Sequence, residues 1–128
     1  MAGLTDVIIS ELMYEALCNS LNEFSYAGLE IVISRNDYNK AREILLEDEP
    51  NKIVSIELVY TQHIVENGIQ VIDTENECYA CDISWSEIMD NSKKLIRSDV
   101  KMMKDGSGDS LTAFNIIQTL FFGDVVYG

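Results

Sequence analysis

A chain of 128 residues with 47% apolar side chains and a single Pro can bury roughly two-thirds of its unfolded surface in one core, which excludes a disordered linker. Twenty-two acidic against nine basic side chains leave a net charge of −13, which repels nucleic acid and acidic membrane surfaces and favours basic partners. Three cysteines, an odd count, argue against a disulfide framework and fit a reducing compartment.

The charge is unevenly spread. Residues 1–92 hold 18 acids and 4 bases, whereas residues 93–128 hold 4 acids and 5 bases. No apolar run reaches the roughly 20 residues a spanning helix needs. The opening MAGLTDVIISELMYEAL carries Asp6, Glu11 and Glu15 and no basic segment, unlike a secretory signal. A cytoplasmic location is expected. Fifteen Ile and nine Asn against one Pro and three Arg is the bias of AT-rich coding, so a low-GC bacterium or a phage-infected host cell is the expected setting.

In chain order, a first helix is predicted from about Thr5 to Phe24, with Thr5 or Asp6 as its cap. Its core stripe is Ile9, Leu12, Met13, Ala16, Leu17 and Phe24. A second apolar strip, Val7, Tyr14, Cys18 and Leu21, lies on another side. It marks either a neighbour within the monomer or a homo-oligomer interface. Gly28–Ser34 reads as a strand with Leu29, Ile31 and Ile33 on one face. Asn36 or Asp37 then caps a second helix whose Tyr38, Ala41 and Leu45 face inward, and Glu47-Asp48-Glu49-Pro50 stops it.

The segment from Lys52 to Trp85 is predicted to be a long hairpin. Val54, Ile56, Leu58 and Tyr60 alternate with polar residues at the period of a strand. Asn67-Gly68 then has the composition of a two-residue type I′ turn. Ser84-Trp85-Ser86-Glu87 is a capping box, with Ile83 and Ile88 as its hydrophobic staple. The helix that follows keeps Trp85, Ile88, Met89, Leu95, Ile96 and Met103 on one side and Lys93, Arg97, Lys101 and Lys104 on the other, with a break expected near Ser98-Asp99. After the loop Asp105–Asp109, Asp109 or Ser110 caps an uncharged last helix, ended by Gly123.

The fold class expected is α+β: a single domain spanning 1–128, with helices on one side of a mainly antiparallel three- or four-stranded sheet in the order αβαββ(β)αα. The segment from Gly28 is compatible with a ferredoxin-like core in which Val125–Tyr127 adds a fourth strand.

Few residues carry the pattern of chemistry. Gly108-Asp109-Ser110-Leu111-Thr112 resembles the nucleophile block of the GDSL esterases, whose Ser follows a buried strand and works with downstream Asp and His residues. Only 18 residues follow Ser110 and none is His, so these five residues are read as a helix cap. Cys78-Tyr-Ala-Cys81 is a CxxC that, with Cys18 and His63, supplies the donor types of a Cys3His zinc site. Residues three apart on a strand point to opposite faces, so packing is the favoured role of these cysteines and no metal or cofactor is expected.

The functional expectation is therefore an acidic, non-enzymatic protein-binding protein of inhibitor, immunity or anti-defence type. Glu47, Asp48, Glu49, Asp73, Glu75 and Glu77 would dock on a basic surface of a partner, in the manner of a DNA mimic. The alternatives are a homo-oligomeric assembly protein using Val7, Tyr14, Cys18 and Leu21, and a small zinc or thiol enzyme built on Cys78 and Cys81. Neither nucleic acid nor membrane is an expected partner.

Overall fold

A computed structural model describes residues 4–47, 49–75 and 80–126. They form a mixed α+β fold: α1 (Leu4–Tyr26), β1 (Leu29–Val32), α2 (Arg35–Leu46), α3 (Ile56–Asn67), β2 (Ile69–Asp73), β3 (Ala80–Ile83), α4 (Trp85–Asn91), a 3-10 turn at Ser92–Lys94, α5 (Arg97–Asp105) and α6 (Ser110–Phe122). The sheet is antiparallel throughout, in the order β1-β2-β3. Leu29 pairs with Asp73 and Ile31 with Val71, while Val71 pairs in turn with Cys81 and Ile69 with Ile83. Directly paired residues share a face. Leu29, Ile69, Val71 and Ile83 are accordingly buried against the helices, and Glu30, Val32 and Asp82 are exposed on the other face. Among the described residues no helix is long and apolar enough to cross a membrane.

The core lies between α1 and α6, which share the most extensive helix contact. All six residues expected in the α1 stripe are buried. The second strip of α1 meets α3: Ser10, Glu11 and Tyr14 line a hollow with Leu58, Thr61, Gln62 and Val65. Tyr14 and Leu21 are half-buried, while Val7 and Cys18 remain exposed. Phe24 stacks edge-on with Phe114 at a centroid distance of 5.3 Å. Trp85 Nε1–H donates to Asp6 Oδ1 at 2.9 Å, tying the start of α4 to that of α1.

Several details depart from the sequence reading, each for a local reason. The stretch expected as the first hairpin strand is α3. Ser55 caps it by accepting from Leu58 N–H at 3.2 Å, and Val59, His63 and Ile64 are buried at helical spacing. Asn67-Gly68 is no I′ turn, which needs positive φ at both residues. The only positive φ angles among the described residues belong to glycines, and Gly68 follows the last turn of α3, its N–H donating to Ile64 C=O at 2.8 Å. The hairpin proper is β2–β3.

The helix break comes at Leu95 and Ile96, both extended, and not at Ser98-Asp99. Asp99 instead sits in the first turn of α5, where the helix dipole favours an acid, and Ile96 is exposed. Ser34, not Asn36 or Asp37, caps α2 by accepting from Asp37 N–H at 3.1 Å. Thr5 and Asp6 lie within α1 rather than capping it.

A ferredoxin-like core places the third strand between the first two. Here β2 is central, and Val125 and Val126 form no strand; Tyr127 lies outside the described residues.

α6 begins where expected. Asp109 Oδ1 accepts from Thr112 N–H at 2.9 Å and from Thr112 Oγ1–H at 3.1 Å. The backbone bond, then the hydroxyl bond, hold the Asp109 carboxyl below the usual carboxylate range. A carboxyl depressed by folding contributes stability above its unfolded value, and that contribution is lost as pH falls through the folded one. Asp109→Ala is therefore expected to lower the urea midpoint at neutral pH. Its deficit against the parent chain should shrink as pH falls through the folded value; a deficit constant with pH would refute the assignment.

Candidate docking surface

The two ends of the sheet differ in what they gather. At one end, the close of α3 meets the starts of α2 and α4 around an open cleft of about 620 Å³ lined by Asp37, His63, Asn67, Gln70, Asp82 and Glu87 among others. Two of these carboxylates follow from the caps. Ser34 and Ser84 each accept from the N–H three residues on, that of Asp37 and that of Glu87, so each acid sits in a first helical turn facing a positive dipole end. His63, expected on a strand, is buried on α3 with Nδ1 3.5 Å from Asn67 Nδ2.

The opposite end is the acidic one. Tyr60, in the second turn of α3, lines a hollow with Gly28, Leu29, Glu30 and Thr74, whereas Asn67 and Gly68 at the end of α3 lie with Gln70 and Asp82. α3 thus runs antiparallel to β2. Its start, which the connection from α2 leads into, lies towards the Asp73 end of the sheet, about 18 Å of helix from the cleft. Thr74 N–H and Oγ1–H both donate to Gly28 C=O, at 2.7 and 2.8 Å. Glu75 N–H donates to Asp73 Oδ1 at 3.0 Å, and the Glu75 side chain lies over Gly28.

Glu30 and Glu75 are exposed here, Glu57 and Asp73 are half-buried, and Glu47 and Glu49 are exposed on the connection that leads into α3. Their field registers on two neighbours. Burial, then Tyr38, Glu30 and Glu57, push the Tyr60 phenol up. Burial pushes the Cys18 thiol up, opposed by a hydrogen bond with Tyr14 and reinforced by Glu57 and Glu15. The four bases of residues 1–92, Arg35, Lys40, Arg42 and Lys52, are exposed on α2 or the connection after it.

Of the six acids named from sequence, Asp73 and Glu75 come to this end and Glu47 and Glu49 lie exposed on the connection before α3; Asp48 and Glu77 lie outside the described residues. Glu30 and Glu57 were missed. Glu30 falls between the inward-facing Leu29 and Ile31, and recognising Ser55 as a helix cap would have placed Glu57 in a first turn. Ile53, 96% exposed, was also missed, although a lone Ile in the polar run EDEPNK is a visible signal.

The candidate metal ligands are spread out. Cys18 is exposed on α1, Cys81 is half-buried on β3, His63 is on α3, and Cys78 lies outside the described residues. Among the described residues no group of three or more His, Cys, Asp or Glu is arranged to hold a metal ion. Ser110 of the GDSL-like block opens α6, its hydroxyl donating to Glu23 Oε1 at 2.8 Å.

A third feature lies on α5. Arg97, Lys101 and Lys104, spaced four and three apart, share one helix face. With Leu95 and Val100 they line a groove of about 440 Å³, closed by Ser92 and Asp105. Compared with protein-family models, curated proteins and solved structures, the chain matches none.

Proposed function

We propose that this chain is a non-enzymatic protein-binding protein of inhibitor, immunity or anti-defence type, which sets its acidic end against a basic surface of a partner. The observation that carries this reading is the grouping of Glu30, Glu57, Asp73 and Glu75 around Tyr60 and Gly28 at one end of the sheet, with Glu47 and Glu49 exposed on the connection that leads into α3. Carboxylates presented in this way accept charge-assisted bonds from Lys and Arg. The partner surface of matching chemistry is one that ordinarily receives phosphates, such as the groove of a nucleic-acid-processing enzyme.

Such a complex draws much of its association rate and specificity from charge complementarity, so it weakens as salt rises. A complex captured from native lysate should be lost between about 0.1 M and 1 M salt, as the Debye length falls from about 10 Å to 3 Å. The triple reversal Glu47→Lys, Glu49→Lys and Glu75→Lys should abolish capture, and Glu66→Lys, exposed near the far end of α3, should leave it intact. A complex indifferent to salt and to the triple reversal would refute the proposal.

A further inference from the structure

The α5 groove is the electrical opposite of the rest of the molecule. Five of the nine basic side chains fall within residues 93–104, and three of them rim a floor made by Leu95 and Val100. The exposed Ile96 lies beside it. A cationic rim around an apolar floor asks for a ligand segment that carries both carboxylates and an exposed apolar side chain. The connection between α2 and α3 is such a segment. Glu47 and Glu49 are exposed there, and Ile53, four residues beyond Glu49 and next to Lys52, is 96% exposed.

We infer that the 47–55 connection of one copy seats in the α5 groove of a second copy. Ile53 rests on Leu95 and Val100, and Glu47 and Glu49 face Arg97, Lys101 and Lys104. Two different surfaces meet, so the contact is head-to-tail and leaves a free connection at one end of the assembly and a free groove at the other. Copies carrying −13 each repel at a distance. At about 0.15 M salt the Debye length is near 8 Å, which screens that long-range repulsion and leaves contact pairs effective.

The test uses the purified chain alone, in sedimentation velocity at about 0.15 M salt. Across about 10 μM to 1 mM, a range that captures weak contacts, the weight-average mass should climb from 14.4 kDa to at least twice that. E47K/E49K and K101E/K104E, all at exposed positions, should each stay at 14.4 kDa. An equimolar mixture of the two should associate again, because the reversed connection of one now fits the reversed groove of the other. Ile53→Ser should weaken the parent association about tenfold or more.

A parent chain that stays monomeric throughout, an association that survives both reversals, or a mixture that fails to associate would each overturn the inference. No foreign partner is present, so failure here leaves the proposed docking of the acidic end standing, and failure of partner capture leaves this contact standing.

Discussion

Replacing Gly68 with alanine is expected to destabilise the fold by about 3 kcal/mol or more, the upper range for a residue forced into a backbone region that only glycine tolerates. Gly68 has φ 74° and ψ −162°, and a Cβ placed on it runs into the Ile83 carbonyl oxygen and crowds Ser84 Cα. Both obstacles are backbone, held by the β2–β3 ladder where Ile69 pairs with Ile83, so neither can swing aside. The residue joins α3 to β2, and strain there opens the helix end and the central strand together. Gly106 is the control. It has the same sign of φ, 75°, with nothing within 4 Å of an added Cβ, so Gly106→Ala should cost about 1 kcal/mol, the αL penalty alone. Urea denaturation of the pair decides it: equal losses would show that the close approach of Gly68 to β3 is not what matters.

The second large effect is in α6. Leu120→Ala should cost about 3–4 kcal/mol, within the range for large-to-small changes in cores that cannot collapse. Leu120 is fully buried among helices, and its carbonyl accepts from Asn91 Nδ2–H at 2.9 Å, so the backbone is pinned where it would have to move to fill the void. Leu111, in the first turn of the same helix, is 55% exposed; Leu111→Ala should fall within about 0.5 kcal/mol of the parent. Domains of this size are stable by about 5–15 kcal/mol, so the first change removes a large share and the second almost none. A small loss for Leu120→Ala would show that α6 is less central than its burial implies.

The parts of this fold that were legible were those where local chemistry and burial agree. The α1 stripe, the Ser84 cap, the uncharged last helix and its Gly123 end were readable because periodicity, cap and breaker coincide. Residues 54–67 were not, because VSIELVYTQHIVEN satisfies two periods at once. Val54, Ile56, Leu58 and Tyr60 alternate as a strand does, while Val59, His63 and Ile64, with Ser55 ahead of them, mark a helix. Ser55 settles it by satisfying a free helix N–H, and Gly68 follows as the C-terminal stop that an Asn-Gly reading disguised. The acidic end was half legible for the same reason. The four described acids named in advance sit in loops or at a strand end, where sequence alone marks exposure, whereas Glu57 needed α3 to be a helix before its position had meaning.

The pairing of α1 with α6 has a consequence for synthesis on the ribosome. Eighty-three residues separate Tyr26 from Ser110, so at 5–20 residues per second the nascent α1 waits roughly 4 to 17 s for its main partner to emerge. Throughout that interval Met13, Leu17 and Phe24 have no α6 to cover them. The half-made chain is therefore the form most exposed to chaperones and to sticking to its own kind.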